Sequence, residues 1–251
     1  MFEIYALTDV GRVREHNEDG FLVNDRVAKS GGYSLSAEQS PLLFAVADGM
    51  GGTNAGEVAS EMTLGSLKKL PLPCTPEDLQ QAVSDIHQEV YRFGETHPEA
   101  KGLGTTLTGF FCAGETITTF HVGDSRLYRF RMGILRQITR DQSLVQSLFD
   151  MGRITREEMA THSKRHVLLQ CIGGLTEQPP QVEVQSLALD PRGDDVYLLC
   201  SDGLSDMLSD EEMEIILDGA PSLEAAAHAL VDAANNRGGH DNITVILMAC
   251  K

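Results

Sequence analysis

The 251-residue chain reads as an α+β protein built from antiparallel sheets. Two observations lead there. Apolar, β-rich runs arrive in blocks and helical patterns in other blocks, without the strict alternation that a parallel sheet requires. Three of the β-rich runs, 105–112, 116–122 and 126–131, are separated only by Ala113-Gly114 and Gly123-Asp124-Ser125, turns short enough for an antiparallel meander. No linker or internal repeat divides the sequence, and the candidate site described below draws on residues 14 to 241, so a single domain over 1–251 is expected.

Taken in order, residues 2–8 alternate imperfectly and read as a strand, and 11–19 is a polar loop carrying Arg12 and Arg14 beside Glu15, Glu18 and Asp19. Phe21-Leu22-Val23 is a short apolar piece, and the Gly- and Ser-rich segment 24–41 reads as a connection. The apolar run 42–47 predicts a buried strand. Asn54 with Glu57 three residues on is a capping pair for a helix to about Leu70, with Val58, Ala59, Met62 and Leu70 facing the sheet and Pro71 and Pro73 ending it. A second helix is expected over 75–94. Beyond the meander, 141–151 and 155–161 are helical, the latter opened by Thr155 and Glu158. Strands follow at 182–189 and 196–201, then a helix over 210–217 with Ser209 and Glu212 at its start. A last helix over 222–236 turns Ala226, Ala229, Leu230 and Ala233 inward, and the run 243–249 closes the chain as a strand.

Composition bounds the function. Hydrophobic residues make up 41%, ordinary for a globular chain, and no apolar run approaches the length of a membrane span. With no basic leader at the start, neither a signal peptide nor a membrane partner is expected. A net charge of −17 without a basic patch argues against nucleic acid and is compatible with divalent cations, although most of the 37 acids must be solvated surface. The five cysteines, at 74, 112, 171, 200 and 250, have no metal-ligand or redox spacing, which fits reduced thiols in a cytoplasm.

One stretch demands a chemical explanation. Leu42 to Ala47 ends on Asp48-Gly49-Met50-Gly51-Gly52, which places a carboxylate at the end of a buried strand. Burying a charge costs several kcal/mol unless a cation or hydrogen-bond donors compensate it. Glycine beside it lets a backbone carbonyl approach a ligand, so Asp48 and the Gly49 carbonyl could share an ion. Alone, Asp-Gly is equally a hairpin turn. The pattern recurs, however, at Ser201-Asp202-Gly203 after a second apolar run and at His240-Asp241-Asn242 before a third. Such oxygen ligands select Mg²⁺ or Mn²⁺ over zinc. Two such ions about 3.5–4 Å apart can activate a water and hold phosphate oxygens, and an arginine can grip a phosphoryl group through paired hydrogen bonds.

In that order the motifs resemble those of the metal-dependent protein phosphatases of the 2C type, in particular small bacterial single-domain members. The matches are Arg14-Glu15-His16-Asn17-Glu18-Asp19, Asp48-Gly49-Met50-Gly51-Gly52 with Gly56-Glu57-Val58-Ala59-Ser60, Gly104-Thr105-Thr106, Gly123-Asp124-Ser125-Arg126, Cys200-Ser201-Asp202-Gly203-Leu204 and Asp241-Asn242-Ile243-Thr244. The resemblance implies a four-layer αββα sandwich, two antiparallel sheets flanked by helices, with a dinuclear Mn²⁺ or Mg²⁺ site at one edge. It implies that Asp48 bridges both ions, that the Gly49 carbonyl binds the second, and that Asp202 and Asp241 hold the first. Asp19 would orient a water of the site, with Glu18 the weaker candidate, and Arg14 would bind the substrate phosphate. Asp124, which could also simply make a turn, would share a third, weaker ion with Asp202, and Asn242 would support the ligands. Residues 141–174 resemble the mobile flap beside the site, in which relatives differ in substrate preference. The flap carries His162 and His166; His162 is the candidate general acid, and a surface histidine is the alternative.

Met50 stands, as in bacterial relatives generally, where many eukaryotic members carry a histidine, and Thr53 stands where many bacterial members carry one, so titratable groups at those positions are missing. The implied activity is hydrolysis of phosphoserine and phosphothreonine in proteins, opposing a bacterial Ser/Thr kinase, by a cytoplasmic monomer. A catalytically silent phosphoprotein-binding module of the same fold is the alternative. Thiol-based phosphatase chemistry is excluded, because Gln80, Thr118, Glu177 and Asp206 stand six residues after Cys74, Cys112, Cys171 and Cys200 where arginine would be needed. The glycine-rich Lys-Ser/Thr phosphate loop and the His-Glu-x-x-His zinc helix are missing too.

Overall fold

The computed structural model describes residues 1–51, 55–189 and 195–250. Strand β1 (Phe2–Asp9) sends Phe2, Ile4 and Ala6 to one side and Tyr5 and Leu7 to the other, with both sets buried. A strand covered on both faces has no reason to alternate cleanly, which accounts for its imperfect pattern. Strand β2 (Asp19–Val23) follows the polar loop, and the connection expected at 24–41 is corrected by the structure. β3 (Arg26–Ala28) folds back on β2, and β4 (Gly31–Ala37) pairs along β1 from Ala37 opposite Phe2 to Gly31 opposite Thr8. As an edge strand, β4 leaves Ser34 and Ser36 exposed while Tyr33, Leu35 and Ala37 pack inward, so half of its sequence looks like a linker.

Strand β5 (Leu42–Met50) is hydrogen-bonded to β2 on one side and, on the other, to β6 (Gly104–Thr105) and β7 (Leu107–Ala113). Helix α1 (Ala55–Leu67) buries Ala59, Leu64 and Leu67 fully, with Val58 and Met62 only partly covered; the Asn54 cap lies outside the described residues. Helix α2 (Pro76–Thr96) begins with a reciprocal cap, Thr75 Oγ1 accepting from the Asp78 amide and the Asp78 carboxylate from the Thr75 amide.

The meander is half right. β7 and β8 (Thr116–Val122) form a hairpin, but β9 (Arg126–Arg131) leaves for the other sheet, where β10 (Ile134–Gln137) pairs with it. Gly123-Asp124-Ser125 is therefore a crossing between sheets. Gly, Asp and Ser serve a crossing and a hairpin turn equally, so composition alone does not separate the two. Helices α3 (Leu144–Asp150) and α4 (Arg156–Thr161) follow, α4 with the expected Thr155/Glu158 cap. Next come β11 (Ile172–Gly173), β12 (Glu183–Ala188), β13 (Val196–Cys200), the single turn α5 (Asp202–Ser205), α6 (Asp210–Gly219), α7 (Leu223–Asn236) and β14 (Ile243–Cys250). Helix α7 buries Ala226, Ala227, Leu230, Val231 and Ala234; Ala229 is exposed, because the buried stripe runs about one position away from the predicted one.

One sheet has the strand order β10-β9-β13-β14-β1-β4, and the other β11-β6-β5-β7-β8-β12, with β2 also paired to β5 and β3 paired to β2. Their side chains define four layers. Ile4, Phe21, Phe44, Phe110, Leu199 and Ile246 meet between the sheets, where Phe44 lies tilted against Phe110 at 4.9 Å. Tyr5, Leu198 and Leu247 face Met213 and Leu230 of α6 and α7, while Leu43, Phe111 and Phe120 face Leu64 and Val83 of α1 and α2. Each such large side chain contributes about 1.5–3 kcal/mol on burial, so the central layer fixes how the two sheets stack.

Candidate metal centre

Strand register brings the predicted carboxylates together. β2 and β5 pair so that Asp19 sits opposite Asp48. In the other sheet Cys200 of β13 sits opposite Val245 of β14, so the residues after β13 and before β14, Asp202 and Asp241, leave at the same end. Close backbone approach tightens both junctions. A Cβ on Gly49 would lie 2.1 Å from the Gly56 carbonyl oxygen, and one on Gly203 would lie 2.0 Å from that of Asn242. Only glycine permits these contacts.

The result is a cleft of about 340 Å³ lined by Arg14, Glu18, Asp48, Gly49, Asp124, Asp202 and Asp241, together with Met50, Thr106, His166 and Leu168. Arg14 Nη2 donates to Asp241 Oδ2 at 2.6 Å. The backbone of Asp48 is pinned on both sides, its amide donating to Thr106 Oγ1 and its carbonyl accepting from Thr105 Oγ1 and the Thr106 amide. Thr106 Oγ1 in turn lies 2.7 Å from Ser125 Oγ, next to Asp124. Asn242 Oδ1 accepts from the Glu18 amide, and its Nδ2 donates to the Val10 and His16 carbonyls, clamping the loop that carries Arg14.

Asp19 does not line the cleft. It is 1% exposed, and its Oδ2 accepts from Ser201 Oγ and Thr244 Oγ1, both at 2.7 Å. Ser201 and Thr244 belong to the matched motifs, and their places beside Asp202 and Asp241 are the one sequence signal of this role. His162 is not among the residues lining the cleft either. It ends helix α4, where its Nδ1 accepts from the Lys164 amide. The side chain that reaches the cleft is His166; two histidines in one loop offer no sequence reason to prefer either. Thr53 lies outside the described residues.

The electrostatics call for cations. Burial, reinforced by Asp19, Asp202 and Asp124, lifts the Asp48 carboxyl well above the usual range. Burial and the Asp202 charge do the same to Asp124, and burial raises Asp19 to about 8 against the pull of its two hydroxyl donors. Arg14 and His166 are the only cationic or protonatable nitrogen side chains among the lining residues. A set of oxygen donors that resists ionising together fits divalent metal ions, which would hold all of them charged.

A sandwich of two sheets with an oxygen-lined metal cleft and an arginine at its mouth defines a metal-dependent phosphoester hydrolase. The chain belongs to the protein phosphatase 2C family, whose profile matches residues 12–243. It is 36% identical over 249 residues to the serine/threonine phosphatase stp of Listeria monocytogenes serotype 4b (strain F2365), covering 96% of this chain and 93% of the relative. The solved S. agalactiae serine/threonine phosphatase superposes with a TM-score of 0.87 at 32% identity, with both chains fully covered. The catalytic domain of the phosphatase PstP, solved in complex with 2 manganese ions, superposes at 0.80 with 36% identity and 99% of each chain covered.

Proposed function

We propose that the chain is a protein serine/threonine phosphatase working through two Mn²⁺ or Mg²⁺ ions, with phosphoproteins of a bacterial Ser/Thr kinase system in the cytoplasm as substrates. The observation that carries this reading is the convergence of Asp48, Asp124, Asp202 and Asp241 on one cleft beside Arg14. The manganese complex of a relative supports the choice of ion. When bound, the ions supply electrophilic polarisation of phosphate oxygens and acidify water.

The residues of the chain do the rest. Asp48 lines the cleft within reach of the charges of Asp19, Asp202, Asp124 and Asp241 and would help hold both ions, with the Gly49 carbonyl beside it. Asp202 and Asp241 would hold one ion from the other sheet. Asp19, fixed by Ser201 and Thr244 and paired opposite Asp48, would orient a water of the site. Arg14, half-exposed, exchanges its bond with Asp241 for paired hydrogen bonds to the phosphoryl group. Retention of Asp48, Asp124, Asp202 and Asp241 in a single cleft, with Asp19 buried behind it, speaks against the silent binding module. The test is Mn²⁺-dependent release of phosphate from a phosphothreonine peptide. Wild-type protein should turn over and Asp48→Asn should not; absence of turnover by the wild type at saturating Mn²⁺ would overturn the assignment.

A further inference from the structure

Beside the cleft lies a second, larger groove of about 690 Å³, walled on one side by Val145, Phe149 and Met159 and on the other by Met207 and Leu208. It separates the 141–174 segment from the body and joins the cleft at three shared residues, Asp124, His166 and Asp202. At that junction His166 Nδ1 lies 3.8 Å from Asp202 Oδ2 and 3.7 Å from Asp206 Oδ2. These separations are too long for hydrogen bonds. They lie just beyond the roughly 3.0–3.6 Å that separates ligands about 2.0–2.2 Å from a common metal, so a small side-chain rotation brings all three donors onto one ion. One ligand atom from each of the three lies within 4.8 Å of the others.

We propose that His166, Asp202 and Asp206 form a further metal site that clasps the 141–174 segment to the body. Asp202 and Asp206 stand four residues apart at the two ends of α5, so a single helical turn offers both carboxylates on one face. The opposing ligand comes from a different part of the chain, and among the described residues no hydrogen-bond donor satisfies either carboxylate. Asp206 belongs to none of the motifs assigned to the dinuclear centre. The imidazole nitrogen sets the metal class: a transition ion such as Zn²⁺ is favoured over Mg²⁺, unlike the all-oxygen set around Asp48. Asp202 can serve both sites because a carboxylate has two oxygens; in this respect the clasp rests on the phosphatase reading. An ion here fixes the width of the groove where it opens onto the cleft, so transition-metal supply would govern how a polypeptide reaches the phosphate site.

Equilibrium dialysis against micromolar Zn²⁺ in millimolar Mg²⁺ tests the site. Wild-type protein should hold one more Zn²⁺ equivalent than His166→Ala or Asp206→Asn. In an Asp48→Asn background, with the dinuclear centre disabled, adding His166→Ala should still remove one equivalent. Trypsin cleavage at Arg153, Arg156 or Lys164 should be slowed by Zn²⁺ in the wild type and not in His166→Ala. Equal Zn²⁺ content with and without His166 overturns the clasp. A wild type that binds the extra Zn²⁺ but never hydrolyses phosphopeptide with Mn²⁺ keeps the clasp and sinks the phosphatase reading instead.

Discussion

Asp19 faces Asp48 directly across the β2–β5 ladder while one of its oxygens takes hydrogen bonds from Ser201 and Thr244 of the opposite sheet. This buried carboxylate is thus the point at which the two sheets and the metal cleft are tied together.

Ser201→Ala or Thr244→Val should loosen that tie. Above about pH 8, where Asp19 is charged, hydrogen bonds to it are worth about 1.5–3 kcal/mol, so each variant should there unfold at lower denaturant by an amount of that order. Because Asp19 would also lose its orientation, the Mn²⁺ concentration for half-maximal activity should rise. Unchanged unfolding and unchanged metal dependence together would show the contacts to be incidental.

Acidity gives a second expectation. Asp19, Asp48 and Asp124 hold their protons to higher pH in the folded, metal-free chain than in the unfolded one, where such groups titrate near about 3.9. Between those values the folded state binds more protons, so the stability from these groups is full below about pH 4 and falls as pH rises through about 8, the Asp19 value. Chelator-treated protein should melt at progressively lower temperature from pH 5 to pH 8.5, and added Mn²⁺ should raise Tm most at the alkaline end. A flat profile for the metal-free chain would contradict this account of the cleft.

Arg14→Ala should raise KM for a small phosphomonoester by roughly tenfold or more, the loss of a charge-assisted pair of hydrogen bonds, with a smaller effect on kcat. Steady-state kinetics at saturating Mn²⁺ decides it; an unchanged KM would remove Arg14 from the substrate site.

Gly203→Ala should be more damaging than its one added carbon suggests. The new Cβ would meet the Asn242 carbonyl oxygen at 2.0 Å, backbone against backbone, and force Asp202 and Asp241 apart. Loss of bound Mn²⁺, measured by calorimetric titration, should exceed any loss of secondary structure. Wild-type metal affinity would mean that the junction can yield without cost.

The strands whose two faces are both buried were legible in the sequence, as were the Asp-Gly junctions at their ends, because a carboxylate that closes an apolar run is costly unless something compensates its charge. Not legible were the short β3, β6, β10, β11 and α5, too brief to show a period, together with β4, whose edge position leaves alternate residues in water, and the departure of β9 to the second sheet, since turn chemistry carries no address. Within the site, the carboxylates were visible as residue types at strand ends. Ser201, Thr244 and the reach of His166 were not, because hydroxyls near an aspartate are common and only register across two sheets shows which one they hold.

Strand β14 lies in the middle of its sheet, between β13 and β1, with Cys250 opposite Phe2. On a translating ribosome β1 must therefore wait until residues 243–250 have emerged with only β4 beside it, and β13 emerges with one edge bare. Both present unpaired backbone to other nascent chains until β14 arrives. Assembly of the centre is accordingly a late, cooperative event, and its tempo is governed by the longest loop the polypeptide has to close.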